Sequence, residues 1–323
     1  MCVYTRIVRI LSRIALSLLA VGTAVLALAS CGGDGEEPDP HRATATPAFD
    51  ADAVTKEAAG PNVAARTGRI DARVTFTLEG VAGYEAFSAE LGGPFRYRRD
   101  ASLPDYDIEI GVRDYGAKLT SVDGRSYISL GSTGYRVPPA VRRRLARSSA
   151  RGRNGLTRTL EQFGIAPWRW ETDKVAAGTG RLDGVAVRHV TTGADVGRIL
   201  RDANTLLGLL RSLGMARAVG LPGEIGPAAR RVIVRSVASF AGESWVGTHD
   251  RVLRRSGFRM TFVVPKTARA AVGGITRGSV VGRVDVTRVG ERRRITAPAT
   301  LRPFADFAVG MDALGDAQDA QRR

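Results

Sequence analysis

Between Ile70 and Glu79 the chain alternates: Ile70, Ala72, Val74, Phe76 and Leu78 are apolar, while Asp71, Arg73, Thr75, Thr77 and Glu79 are polar or charged. A period of two predicts a strand with one dry face and one wet face. Shorter strand signals follow at Phe87–Leu91 and Pro94–Tyr97, then at Tyr106–Val112, where acids take the wet positions. Ala117–Val122 and Arg125–Leu130 flank Asp123-Gly124, a dipeptide suited to the two-residue hairpin turn because both turn positions need positive φ. Residues 70–137 therefore read as an antiparallel meander, ended by Pro138-Pro139.

The pattern then changes. Two short helices are expected between Ala140 and Phe163, and a second hairpin from Glu171–Ala177 and Val185–Thr191, around a loop from Gly178 to Gly184. Thr192-Gly193-Ala194-Asp195 has the form of a capping box. The helix it opens carries Val196, Ile199, Leu200, Ala203, Leu206, Leu207, Leu210 and Leu213 on one stripe, with Arg198, Arg201, Asp202 and Arg211 off it. Past Gly220–Gly223 a second amphipathic helix places Ile225, Ala228, Ala229, Val232, Ile233, Val237 and Phe240 on one side. Strands return at Ser244–His249, Val252–Val264, Gly278–Val289 and Arg292–Ile295, the last pair turned by Gly290-Glu291. Helices set between groups of antiparallel strands predict an α+β fold, with the helices on one face of a sheet. A short helix over Ala51–Ala65, broken by Gly60-Pro61, precedes the strands; the tail from Leu301 has Phe304, Phe307, Met311 and Leu314 at helical spacing, as a terminal helix or a frayed end.

Ahead of all this lies a different pattern: a leader with Arg6, Arg9 and Arg13, an apolar run from Ile14 to Ala29, then Leu28-Ala29-Ser30-Cys31 followed by Gly32-Gly33. Basic, apolar, then small residues describe a secretory signal. The cysteine behind the small residues resembles the lipobox of bacterial lipoproteins. That resemblance implies diacylglyceryl transfer to the Cys31 thiol and cleavage before it, so that residues 1–30 are a signal peptide. An uncleaved membrane span fits less well, because the run falls short of roughly 20 apolar residues. Residues 31–49, rich in Gly, Pro and acid, read as a flexible tether. With about 0.8 kcal/mol per buried CH₂, two or three acyl chains would hold the protein on the outer face of the cell membrane. An extracytoplasmic position disfavours chemistry that depends on ATP or nicotinamide.

Composition narrows the picture. The chain of 323 residues has 48 basic and 32 acidic side chains, a formal +16. Only Lys56, Lys118, Lys174 and Lys266 are lysines; an arginine-biased genome explains this excess better than a nucleic-acid partner does, and none is expected. A basic exterior still favours anionic headgroups or wall polymers. Of the two cysteines, Cys2 leaves with the signal and Cys31 carries lipid, so the folded part has no disulfide and must rest on a core.

The order of elements resembles the actinobacterial LppX/LprG-type lipoproteins of the LolA-like superfamily of lipid carriers. The resemblance rests on the lipobox, a meander containing Asp123-Gly124-Arg125-Ser126-Tyr127-Ile128-Ser129-Leu130 and closing at Gly134-Tyr135-Arg136-Val137-Pro138, and the hairpin phrase Asp183-Gly184-Val185-Ala186-Val187-Arg188-His189-Val190. It covers residues 50–300, with 301–323 as a C-terminal tail. It implies a strongly curved antiparallel half-barrel whose concave face is covered by helices, with an acyl-chain cavity between. The cavity walls would be Ile199, Ala203, Leu206, Leu207, Leu210, Val232, Ile233, Val237 and Phe240, with Trp168 at the mouth. The same residues suit an ordinary closed core, since periodicity marks inward positions without saying what fills the space.

Arg142, Arg143, Arg144 and Arg147 belong to a basic run with no acid between Val137 and Leu160. It reads either as a headgroup dock or as a solvated loop. Catalysis finds little support. His41, His189 and His249 are far apart, and no zinc spacing, HExxH or GxSxG occurs. Gly178-Thr179-Gly180 lacks the third glycine of a dinucleotide fingerprint. No enzyme, metal or cofactor is expected. Two readings remain: a monomeric lipid or glycolipid carrier, and a non-catalytic interaction or sensor protein with a closed core and a membrane-protein partner.

Overall fold

The structure, a computed structural model, describes residues 49–58, 65–80, 86–98, 104–112, 115–140, 169–212, 224–272, 274–307, 309–310 and 313. Twelve strands form one sheet: β1 (Thr67–Glu79), β2 (Ala86–Arg96), β3 (Asp105–Val112), β4 (Tyr115–Val122), β5 (Arg125–Leu130), β6 (Thr133–Arg136), β7 (Glu171–Leu182), β8 (Val185–Ala194), β9 (Val237–Gly247), β10 (Leu253–Val263), β11 (Arg277–Thr287) and β12 (Thr300–Arg302). Their spatial order is β12-β6-β5-β4-β3-β2-β1-β11-β10-β9-β8-β7, linear and not closed on itself. The fold is α+β, an open half-barrel.

β1 lies in the interior of the sheet, paired with β2 on one flank and β11 on the other, and its alternation gives it one dry face. Val74 and Phe76 are buried, with Val280 and Val284 of β11 beside them and Ala89 and Leu91 of β2 on the other flank. The dry face continues across Phe95, Phe258, Met260 and Val286 as one apolar cluster. Burial pushes the Tyr106 phenol of this cluster up to about 12, so it stays neutral. Asp123-Gly124 and Asp183-Gly184 make two-residue turns with positive φ at both positions (49° and 71°, 49° and 79°).

Among the described residues, helices accompany the sheet. α1 (Ala51–Ala58) is capped by Asp50, whose carboxylate accepts from the amides of Asp52 and Ala53 at 2.9 and 3.2 Å; it lays Ala51 and Val54 against Val190 and Val246. α2 (Val196–Ser212) and α3 (Pro227–Ser236) connect β8 to β9.

Several boundaries differ from the sequence reading. β2 runs unbroken through Gly92-Gly93-Pro94, because a Cβ at Gly93 would come within 2.0 Å of the Asp107 carbonyl and only glycine lets β3 approach. β7 extends through Gly178 and Gly180 to a tight Asp183-Gly184 turn, so the expected loop is mostly strand. β8 runs through Thr192 to Ala194, and the helix cap is Asp195, whose carboxylate accepts from the Arg198 amide at 2.9 Å. Residues 292–295 form no strand: Arg292 and Arg294 are exposed, and Ile295 alone turns in, against Val122 and Tyr127. The last strand is instead β12, parallel to β6, and Phe307 beyond it is buried against Ile128. The helices expected over 140–163 lie almost wholly outside the described residues.

Candidate functional site

Of the predicted ligand residues, Ala203, Leu207 and Ile233 lie in the cluster of the helix pair, and Val232, Val237 and Phe240 pack against the sheet's cluster, with one correction to the elements that carry them. α3 ends at Ser236, whose Oγ donates to the Val232 carbonyl at 2.8 Å, and Val237 has extended backbone angles (φ −64°, ψ 119°). Val237 and Phe240 therefore belong to β9 and not to a helix. They remain on the dry side: both pack against the sheet's cluster, and Phe240 stacks on Phe258 with ring centroids 5.7 Å apart. A β-branched apolar run suits helix and strand alike, and the pairing partner β10 decides it.

The helix pair has a buried cluster of its own, formed by Leu200, Ala203, Leu207 and Ile225 with Ala229 and Ile233 beside it. Val196 touches both this cluster and the sheet's, and Val232 of α3 faces the sheet. Ile199 is half-buried. Two hydrogen bonds lock α2 to the start of α3: Asn204 Nδ2 donates to the Ile225 carbonyl at 3.1 Å and the Ile225 amide donates to Asn204 Oδ1 at 2.6 Å. Two residues earlier on α2, Asp202 Oδ2 accepts from Trp170 Nε1 at 2.9 Å. The side chains of Leu206 and Leu210, together with Trp168, Cys31, Arg142, Arg143, Arg144 and Arg147, lie outside the described residues.

Sequence reasoning missed a second feature, on the opposite face. A cavity of about 1000 Å³ crosses β11, β1, β2, β3, β4 and β5 on the wet side. Ion pairs form its walls: Arg69 to Asp71 at 2.6 Å, Arg73 to Glu90 at 2.8 Å, and Arg283 to Asp285 at 2.8 Å. Asp285 also accepts from Arg255 at 2.7 Å. Its hydrogen bond to Asp71 holds the Arg69 guanidinium above its ordinary value, so it stays a cation throughout the working range. Lys118 lies opposite Glu109 and pairs with Asp107 at 2.8 Å. Between these walls Gly111 faces Gly116 in register. A Cβ at Gly111 would meet nothing within 4 Å, and one at Gly116 only the Ile110 carbonyl at 3.9 Å. The available signal was the placing of Gly92, Gly111 and Gly116 at wet positions of strands, where glycine marks an approach to backbone.

Elsewhere, Glu171 is buried at the start of β7 with Lys174 beside it at 3.2 Å, and burial pushes its carboxyl up. Among the described residues no cluster of three or more His, Cys, Asp or Glu is placed to hold a metal ion, and no helix is long and apolar enough to cross a membrane.

No protein-family model matches the chain, and neither does any curated protein. Among solved structures it is similar to LprF from Mycobacterium bovis (12% identity, TM-score 0.36, covering 79% of this chain and 100% of that one). It is also similar to the lipoprotein LppX from Mycobacterium tuberculosis (11% identity, TM-score 0.37, 76% and 97%). A third is a domain from Vibrio parahaemolyticus named for outer membrane lipoprotein sorting (7% identity, TM-score 0.19, 77% and 92%). LppX, one of the proteins for which the family of resemblance is named, is thus among the structures the chain is similar to. At these scores nothing about function passes from those proteins to this chain.

Proposed function

We propose that this is a lipid-anchored extracytoplasmic protein that binds an amphiphile, an acylated lipid or glycolipid, between the α2–α3 pair and the dry face of its sheet, for transport or presentation in the envelope. The observation that supports it best is the separateness of the two apolar clusters. The helix pair buries Leu200, Ala203, Leu207 and Ile225 against itself and, among the described side chains, reaches the sheet's cluster through Val196 and Val232. Such a pair can be displaced as a unit, exposing Phe240, Phe258 and Met260 to acyl chains, and burial of apolar surface drives the binding. Ile199, Ala203, Leu206, Leu207, Leu210, Val232, Ile233 and Val237 would wall the chains, with Trp168 at the mouth. Arg142, Arg143, Arg144 and Arg147 would meet the anionic headgroup. Cys31 would carry the anchor. The reading is non-catalytic.

A second reading is a non-catalytic interaction or sensor protein with a closed core. It is favoured by the continuity of the sheet's own cluster, where Val74, Val280, Val284 and Ala89 leave no exposed surface.

Native mass spectrometry on residues 32–323 from a lipid-rich host, followed by organic extraction, tests the choice. A co-purifying amphiphile at near-stoichiometric amount supports the carrier. A folded, clean protein that takes up no added phospholipid or glycolipid transfers the weight to the interaction reading.

A further inference from the structure

We propose that the wet-face trough is a second binding site, for an uncharged, hydroxyl-rich chain: a neutral glycan segment laid over Gly111 and Gly116. The site lies on the side of the sheet away from α2 and α3 and does not depend on the amphiphile reading.

The chemistry of the walls excludes other ligands one by one. Four basic and four acidic side chains line the trough, so its formal charge is balanced. Arg69, Arg73, Arg283 and Lys118 each pair with a carboxylate at 2.6 to 2.8 Å. An anionic ligand would have to displace those acids and would gain no net attraction. An acyl chain would strip water from charged groups without replacing their hydrogen bonds. A protein partner would find none of the aromatic anchors that interfaces favour, because none of the described lining residues is aromatic.

A sugar hydroxyl suits these walls because it both donates and accepts. It can donate to Glu90 or Glu109 while accepting from Arg73 or Lys118, leaving the ion pairs in place. The floor suits a ring. Gly111 and Gly116 face one another across β3 and β4 with open space above them, so a flat saccharide can lie against bare backbone, as glycine in a strand allows. Six strands about 4.8 Å apart give a trough on the order of 24 Å across, room for several sugar units and too long for a single metabolite.

Calorimetric titration of the full chain with α-1,6-mannohexaose and maltohexaose as neutral probes, and a heparin hexasaccharide as anionic probe, tests this. At least one neutral probe is expected to bind with an affinity that changes less than about twofold between low and high salt, because no counterion is released. Gly111→Thr and Gly116→Thr fill the floor where no atom stands in the way, and each should weaken that probe at least about tenfold, a loss of about 1.4 kcal/mol, with an unchanged unfolding transition. Should either variant fold poorly, Arg73→Gln removes one exposed wall group and should weaken the same probe. The proposal is overturned if heparin outcompetes both neutral probes, if the folded variants bind like the parent, or if neither neutral probe binds at millimolar concentration. A protein that carries lipid but ignores both neutral probes overturns this site alone.

Discussion

The imidazole of His189 lies parallel to the indole of Trp245, with ring centroids 4.4 Å apart and planes 5° apart. The register causes it: His189 is opposite Trp245, Trp245 opposite Arg255, and Arg255 opposite Asp285. Nε2 of the same imidazole meets Glu243 at 2.7 Å, and the Arg255 guanidinium sits 6.0 Å from the indole centroid. One row of side chains thus fastens β8 to β11. His189→Ala is expected to lower the unfolding free energy by about 1 kcal/mol and to change the near-ultraviolet circular dichroism of Trp245. His189→Phe keeps a ring in the stack and should fall between the two. Equal stability of the three proteins in urea would remove the stack from the account.

The Asn204–Ile225 lock makes a separate prediction. Asn204→Leu leaves a half-buried amide and carbonyl at the start of α3 without their partners, which costs about 2 kcal/mol. With α2 and α3 no longer tied, a fluorescent fatty acid bound beneath them should leave several-fold faster in stopped flow. An unchanged off-rate in a destabilised protein would mean that the helices do not gate the ligand.

Glu171 gives stability a pH dependence of unusual sign. Its carboxyl is pushed up, first by burial, while Lys174 pulls the other way. The folded state therefore holds the proton more tightly than the unfolded chain does. Its contribution is fully present below the ordinary carboxylate range and is lost as pH rises through the raised folded value. Glu171→Gln should flatten that fall, so that urea midpoints of parent and variant diverge towards neutral pH in favour of the variant. A parent midpoint that rises across the same window in step with the variant would refute the assignment to Glu171.

Phe76, opposite Val280 in the sheet's cluster, is almost wholly buried. Phe76→Ala should cost about 3–5 kcal/mol, measured by urea unfolding. A cost near 1 kcal/mol would mean that the cluster can collapse into the space and is less tightly filled than its burial indicates.

Sequence pattern made β1 legible from Ile70 to Glu79, though not its first three residues from Thr67, because one face of it is dry and a slip by one position would expose Ile70, Val74 and Phe76 together. Both Asp-Gly turns were legible for a local reason: their backbone needs positive φ. Legibility ended where the deciding contact is distant. Val237 to Phe240 reads as the end of a helix until β10 is brought alongside, and Arg292–Ile295 reads as a strand although only Ile295 finds a buried place. The capping box at Thr192 was a true local motif in the wrong frame; β8 carries on through it and Asp195 takes over as cap. Of the helix–sheet layer, the apolar stripes could be read and the locks, Asn204 to Ile225 and Trp170 to Asp202, could not. The wet-face trough was illegible as a unit, since Arg73 meets Glu90 and Gly111 meets Gly116 only once the register is set.

The linear strand order also dictates how the chain must be completed. β1 to β6 pair in succession, and β7 to β11 pair in succession, so each half can zip up from neighbouring segments. In the middle of the sheet the halves join through β1 and β11, where Val74 meets Gly282, about two hundred residues further along, and at its edge β12 returns to pair with β6. A chain emerging N-terminus first from its synthesis would leave the inner flank of β1 as a naked strand edge until β11 arrives, an invitation to mispairing. The seam is therefore a late and hazardous joint to close, and the two halves, expressed as separate fragments divided after Arg136, are natural partners for reassembly across it.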